Sequence, residues 1–303
     1  MSSVQPKSTL EGTKQNDDTN RRFKQRIFSP ALRRFLQSPS VVFGLIVLLV
    51  LLLAAIFAPL LTSYHYSEIN PRNSYAPPSL ENPFGTDKFG RDVFTRVLYG
   101  GRYSLRIGLI AVAIGGGLGL FLGMLAGYLG GWIDEVIMRV LDVMLAFPGI
   151  LLAMAVVSVL GPGLTNLMIA VGVSQAPGFA RLVRSTVLSA KENDYVMATR
   201  ALGGKNKSIM WRHILPNVAA PIIVVATLNV ALAILAGSTL NFLGLGAKPP
   251  IPEWGLMLSD GRQTLNRAWW VSVFPGLTIM AATLSINFVG DGLRSALDPR
   301  LRE

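Results

Sequence analysis

The 303-residue sequence has no cysteine and only two histidines, His65 and His213. Disulfides, thiol catalysis and Cys-based metal sites are excluded, and so is a multi-histidine metal centre. Charge is scarce as well. Asp, Glu, Lys and Arg make up 15% of the residues, against about a quarter in an ordinary soluble domain. That leaves too little polar surface for a water-soluble globule of this length. What the chain has in excess is apolar: 51% hydrophobic residues and a mean hydropathy of +0.46. The formal net charge of +11 would suggest nucleic acid in a soluble protein. Here the basic residues fall between apolar runs rather than along one aromatic-interleaved face, so no nucleic-acid partner is expected.

The apolar runs have the length a bilayer demands. A hydrocarbon core about 30 Å thick needs about 20 helical residues. Val41 to Leu61 meets this without a charge and follows some forty polar residues, so it reads as an uncleaved first span. Further spans are expected at Leu105–Leu129, Val140–Leu160, Leu164–Val183, Val218–Leu245 and Trp270–Val289. The fourth is interrupted by Ser174, Gln175 and Pro177-Gly178, a pattern tolerated where a segment lines a cavity or meets other protein. The expected fold is therefore all-α and integral to the membrane, with about six transmembrane helices.

Basic residues orient it. The tail before Val41 holds eight Lys/Arg, and the segment 184–217 adds Arg184, Lys191, Arg200, Lys205, Lys207 and Arg212. Loops on the other face carry both signs in near balance. The positive-inside rule then puts both termini and the 184–217 loop in the cytoplasm. The expected organisation is a partly disordered tail over 1–40, a first helix over 41–61 and an extracytoplasmic loop over 62–104. A five-helix core over 105–293 and a cytoplasmic tail over 294–303 complete it. Gly115, Gly119, Gly123 and Gly127 recur every fourth residue, a ridge for close helix packing. Trp269 and Trp270 suit interfacial anchors, and Gly161-Pro162-Gly163 a tight turn. Asp142, and Asp291 with Arg294, lie towards span ends, where ion pairs or caps are expected more than substrate contacts.

The 184–217 loop is the most informative stretch. Asn193 or Asp194 is placed to cap a short helix running to Leu202; Gly203-Gly204 supplies a left-handed stop. A second helical turn follows, with Ile209, Trp211 and Ile214 as its apolar positions, and Pro216 suits the first turn of the next span. Such a stiff, basic helix–Gly–helix hairpin, with small residues at Ala198, Thr199 and Ala201, is shaped to dock into a groove on a cytosolic partner.

With Met197-Ala198-Thr199, Gly203 and Leu215-Pro216, the hairpin resembles the coupling loop of ATP-binding-cassette importer permeases: Glu-Ala-Ala, a Gly four residues later, then a Leu-Pro. It departs from that pattern at Met197 and Thr199. Further stretches resemble the dipeptide/oligopeptide/nickel permeases, second-subunit (DppC/OppC) type, from about Arg33 onward. They are Gly85-Thr86-Asp87 to Arg96, Gly130-Gly131 to Asp142, Phe242 to Gly246, Pro252-Glu253-Trp254-Gly255, and Gly290-Asp291-Gly292-Leu293-Arg294 to Asp298-Pro299.

The resemblance implies the type I importer permease fold in a bacterial or archaeal cell membrane. It also implies a heterodimer with a homologous permease, two cytosolic ABC ATPases that use ATP and Mg, and an extracytoplasmic solute-binding protein. No cofactor would be bound by this chain itself. Met197, Ala198, Thr199, Arg200, Ala201, Leu202, Gly203, Leu215 and Pro216 would form the ATPase-coupling site. Di- or oligopeptides are the expected solutes, with nickel complexes or glutathione as alternatives.

Other functions fit less well. Gly204-Lys205 is followed by Asn206 and the residue five before Gly204 is Thr199, so G-x-x-x-x-G-K-[ST] is not met, and ATP hydrolysis is expected from a separate chain. An intramembrane protease needs paired aspartates or a Ser–His arrangement within spans. A secondary transporter would show paired repeats or embedded coupling charges.

Overall fold

The computed structural model describes residues 35–297. Most of the N-terminal tail expected over 1–40, and residues 298–303 of the C-terminal one, lie outside the described residues. The described chain is helical, with an isolated antiparallel bridge between Thr86 and Asp92. Its helices are α1 (Pro39–Ile56), α2 (Val93–Leu129), α3 (Gly131–Leu145), α4 (Gly149–Leu160) and α5 (Leu164–Lys191). They continue with α6 (Asp194–Ala201), α7 (Asn206–Phe242), α8 (Trp254–Gly261) and α9 (Trp270–Leu297).

Four of these, α1, α2, α7 and α9, are long and apolar enough to cross a membrane. The third expected span is not one straight helix. It is split into α3 and α4, which meet at 95°. The cause is local: Pro148 steers Phe147 away from helical ψ, and Pro148 itself sits in extended conformation at the N-cap of α4. At 12 residues, α4 is about 18 Å long and cannot cross alone. The fourth expected span, α5, runs unbroken for 28 residues with Pro177 inside it, so the interruption read at Ser174 to Gly178 does not break the helix. Ser174 Oγ instead donates back to the Val171 carbonyl (2.9 Å).

Helix α2 starts at Val93, well ahead of the expected Leu105. Asp92 is the reason: its carboxylate accepts from the Thr95 N–H (2.7 Å) and Thr95 Oγ1 (2.6 Å), capping donors that would otherwise be orphaned. Gly130 ends the helix at φ 66°, a left-handed conformation open to glycine at low cost.

The four-residue glycine ridge lies along α5. A Cβ at Gly115 would come 2.5 Å from the Gly172 carbonyl, one at Gly123 2.5 Å from the Ala180 carbonyl, and one at Gly127 3.0 Å from the Arg184 carbonyl. In a lipid solvent that gives no hydrophobic drive between helices, this backbone-to-backbone approach supplies the packing.

The two ends of the bundle differ. At one end, residues 62–92 and α8 form a folded cap. Asp87, buried, accepts from Arg91 Nε (2.6 Å) and lies 3.7 Å from Arg96 Nε. Lys88 and Arg91 both reach Asp260 of α8, at 2.8 and 3.8 Å. Trp270 Nε1 donates to the Thr86 carbonyl (3.0 Å). Trp270 is thus a buried fastener of the cap and not the interfacial anchor its position suggested; its neighbour Trp269 stays half exposed.

Glu253 is fully buried in this cap. It accepts from Leu256 N–H and Ser104 Oγ, both at 2.9 Å, while Trp254 Nε1 donates to the Val97 carbonyl (2.9 Å). Burial pushes the Glu253 carboxyl above its ordinary range, against the hydrogen bonds that pull it down. The folded state then holds the proton more tightly than the unfolded one. Its stabilising effect is full below the ordinary Glu value of about 4.3 and fades as pH rises through the raised folded value. Thermal unfolding of the detergent-solubilised chain is expected to show this decline in the wild type. Glu253→Gln, which keeps an acceptor for Leu256, is expected to lose it. Identical slopes in both proteins would contradict the assignment.

Candidate functional site

At the end opposite the cap, α6 and the start of α7 form the hairpin. Asn193 is the N-cap residue of α6, but its side chain makes no capping bond, and Asp194 sits in the first turn. The helix closes as a Schellman turn: Gly203 N–H donates to the Arg200 carbonyl and Gly204 N–H to the Thr199 carbonyl, both 3.0 Å. Gly203 sits at φ 82°, the left-handed position this motif requires at its first residue past the cap.

The return arm holds a π-helical stretch, Ile209–Ile214, in which Leu215 N–H bonds back to Met210. Pro216 follows at once. Its ring excludes the ordinary i→i−4 bond and crowds the carbonyl four residues earlier, and a wider turn just ahead relieves that crowding. Pro216 stands in the first turn of the regular α-helical part of α7, Leu215–Phe242, the position expected from the sequence. Asn217 Nδ2 donates to the His213 carbonyl (2.6 Å) and to Tyr195 Oη (2.9 Å), tying α7 to α6.

The hairpin has an inward and an outward face. Val196, Ile209, Ile214 and Val218 are fully buried against Val183 and Val187 of α5 and Met124 and Tyr128 of α2. Trp211, expected among the apolar positions, points outward and is 57% exposed. Polar links add to the apolar contacts: Tyr128 Oη donates to Asn206 Oδ1 (2.8 Å), and Lys191 Nζ donates to the carbonyls of Gly127 (3.2 Å) and Tyr128 (2.9 Å). The hairpin is thereby joined to the ends, opposite the cap, of the two helices that the glycine ridge locks together.

The outward face brings the expected site residues together in part. Met197, Ala198, Arg200, Ala201, Leu202 and Gly203 are exposed, with Leu202 88% and Met197 52% open. Thr199 is half-buried, its Oγ1 donating to the Tyr195 carbonyl (2.7 Å). Leu215 is half-buried, while Pro216 is exposed on the return arm. The face combines open apolar side chains with Arg200, Lys205, Lys207 and Arg212. Such a mixture is costly to leave in water and suits a protein surface.

The charges near the spans resolve into pairs. Arg184 of α5 donates to Asp134 of α3 through both Nε and Nη2 (2.5 Å each), a two-point bond. Arg181 pairs with Asp142 one turn away (2.5 Å). The bent α3 is thus fastened to α5 just beside the hairpin. Sequence reasoning foresaw an ion pair for Asp142 but not its partner. It missed the roles of Asp87, Glu253 and Trp254, whose partners lie far away in the chain. Among the described residues no group of three or more His, Asp or Glu is placed to hold a metal.

Residues 119–303 match the family described as binding-protein-dependent transport system inner membrane component. Residues 28–78 match the N-terminal TM domain of oligopeptide transport permease C. The dipeptide transport system permease protein DppC of Alkalihalophilus pseudofirmus is 52% identical over 272 residues, covering 90% of each chain. The glutathione transport system permease protein GsiD of Escherichia coli O6:K15:H31 is 44% identical over 273 residues, 89% of each. A chain of the MetNI methionine ABC transporter, solved in inward-facing conformations, superposes with a TM-score of 0.56 at 19% identity. That match covers 66% of this chain and 96% of the other and shows a shared fold. The chain belongs to the binding-protein-dependent transport system inner membrane component family, as a permease subunit of an ATP-binding-cassette importer.

Proposed function

We propose that this permease carries di- or oligopeptides into the cell, and that its hairpin is where ATP hydrolysis on partner chains becomes movement of the spans. The observation that carries the coupling reading is the two-faced hairpin: a basic, apolar outer face on a segment welded to α2 and α5. Met197, Ala198, Thr199, Arg200, Ala201, Leu202 and Gly203 form the docking crest, with Leu215-Pro216 setting the return into α7. Arg200, Lys205 and Lys207 face acidic groups on the ATPase.

In this reading the hairpin and both termini are cytoplasmic, as the Lys/Arg bias favours, and the cap faces outward to the solute-binding protein. A homologous permease completes the pathway, and ATP with Mg is used by two ATPase subunits. The peptide assignment draws support from the dipeptide and glutathione relatives.

The test is uptake in proteoliposomes holding this chain with its permease and ATPase partners and the binding protein. Labelled dipeptide is expected to accumulate with ATP inside the partners' compartment and to be unaffected by a proton uncoupler. Accumulation that survives ATP removal and collapses with the uncoupler would instead make the system a secondary carrier. A nickel complex or glutathione accumulating in place of the dipeptide would overturn the peptide assignment alone.

A further inference from the structure

Beside the cap, between α1 and α2, lies a lateral groove of about 510 Å³. Its walls are apolar and open: Leu52 is 47% exposed, Ile56 51% and Leu109 66%. Its upper end is not apolar. Arg102, Tyr103 and Arg106 project into it from successive turns of α2. We infer that this groove binds one anionic glycerophospholipid, with the phosphate on Arg102 and Arg106 and an acyl chain along Leu52, Leu105 and Leu109.

Depth is the first argument. Arg102 Nε donates to the Ala55 carbonyl (2.6 Å) and its Nη2 to the Ile56 carbonyl (2.8 Å), so this guanidinium is level with the end of α1. The Tyr66 and Tyr99 rings meet there, tilted by 45° with centroids 5.2 Å apart, and Arg102 lies over Tyr99 at 5.0 Å. Such amphipathic rings mark the headgroup level of a bilayer. Arg106 stands one turn further along α2, about 5.4 Å deeper, at the edge of the hydrocarbon.

Charge is the second argument. Arg106 is exposed, and the ion pairs among the described residues all lie elsewhere. An exposed cation at that depth is costly without an anion beside it. Arg102, which lines the groove, spends two of a guanidinium's five N–H groups on α1, which leaves three for an anion. Two guanidinium groups a turn apart match the planar, bidentate geometry that arginine offers to phosphate. The apolar trench below accepts what a free phosphate lacks. The occupant needs an anion at one end and a hydrocarbon tail at the other, and a phospholipid of the surrounding leaflet has both.

Native mass spectrometry of the full-length chain in mild detergent, titrated with phosphatidylglycerol or phosphatidylcholine, tests this. The wild type is expected to retain one phosphatidylglycerol at concentrations where phosphatidylcholine is lost. Arg106→Gln, an exposed substitution, is expected to weaken that retention about ten-fold. Leu109→Trp, which fills the trench and leaves both arginines, is expected to weaken it too, and thermal unfolding checks that both variants remain folded. Equal retention by wild type and both variants overturns the proposal and leaves Arg106 reaching water by itself. Displacement of the lipid by inorganic phosphate overturns the acyl part. Loss of a co-purifying permease from Arg106→Gln, with lipid retention unchanged, makes the groove a subunit interface instead.

Discussion

Gly119→Val is expected to abolish recovery of folded chain from the membrane, whereas Gly117→Val on the same helix leaves recovery unchanged. The pair differ in what the new side chain meets. At Gly119 the first added carbon already collides with Phe179 Cβ and lies 2.9 Å from both the Ala176 carbonyl and the Ala180 amide. Neither backbone group is able to swing aside, because α5 is held against α2 by the glycines above and below. At Gly117 nothing lies within 4 Å. Overpacking in a fixed core costs about 1–3 kcal/mol, and more where backbone blocks relaxation; branched valine against two backbone groups belongs at the upper end. Valine's lower helix propensity acts equally at both sites, so the difference isolates the packing. Detergent-extracted yield and melting temperature are the readouts. A Gly119→Val protein that melts with the wild type would show that the ridge does not seat on α5.

Gly203→Val is expected to cut ATP-driven uptake at least ten-fold while leaving the yield and melting of the spans near wild type. Gly203 holds φ 82°, and an L-residue there costs about 1–2 kcal/mol, more when β-branched. The Schellman bonds from Gly203 and Gly204 fix the direction in which the chain leaves α6. Straining them splays the crest from the return arm, while the buried residues Ile209, Ile214 and Val218 still hold α7 to α5. The loss should therefore fall on coupling and not on folding. Gly130→Val, also at a positive φ but away from the hairpin crest, serves as the control for backbone strain. Equal loss of uptake in both would assign the effect to general destabilisation.

These two sites were legible in the sequence for the same reason. A ridge at every fourth residue and a Gly-Gly helix stop are local patterns whose geometry depends on a few neighbouring residues. The apolar runs of α1, α7 and α9 were equally readable, since length and hydropathy alone decide them. The start of α2 was not, because Arg96, Arg102 and Arg106 dilute its first turns, which rest on the Asp92 cap and on the tertiary partners of Arg96 and Arg102. The split between α3 and α4 hung on one Pro148 within an apolar run that satisfies the length of a span. Pro177 gave the opposite error: neighbouring helices hold α5 intact across a residue that breaks isolated helices.

The cap was the least readable part. Glu253 meets Ser104 across 149 positions and Trp270 meets Thr86 across 184. No local pattern encodes such pairings. Thr86 and Glu253 stood out only within family-like motifs and Trp270 only as an expected anchor, and the structure joins them in a buried, hydrogen-bonded cap. At the hairpin, Trp211 was read as one of the apolar positions, but it stands two residues from the buried Ile209, about half a turn round the helix, and so faces outward.

The central claim is that the outer face of the hairpin engages the ATPases. It is tested most directly by purifying the tagged chain from cells that express its whole transporter and comparing the wild type with the double variant Ala198→Glu, Gly203→Asp. The account predicts that a second permease accompanies both proteins, and that the ATPase subunits accompany the wild type and are lost from the variant. ATPases retained by the variant in wild-type proportion would contradict it and place the coupling surface elsewhere on the chain.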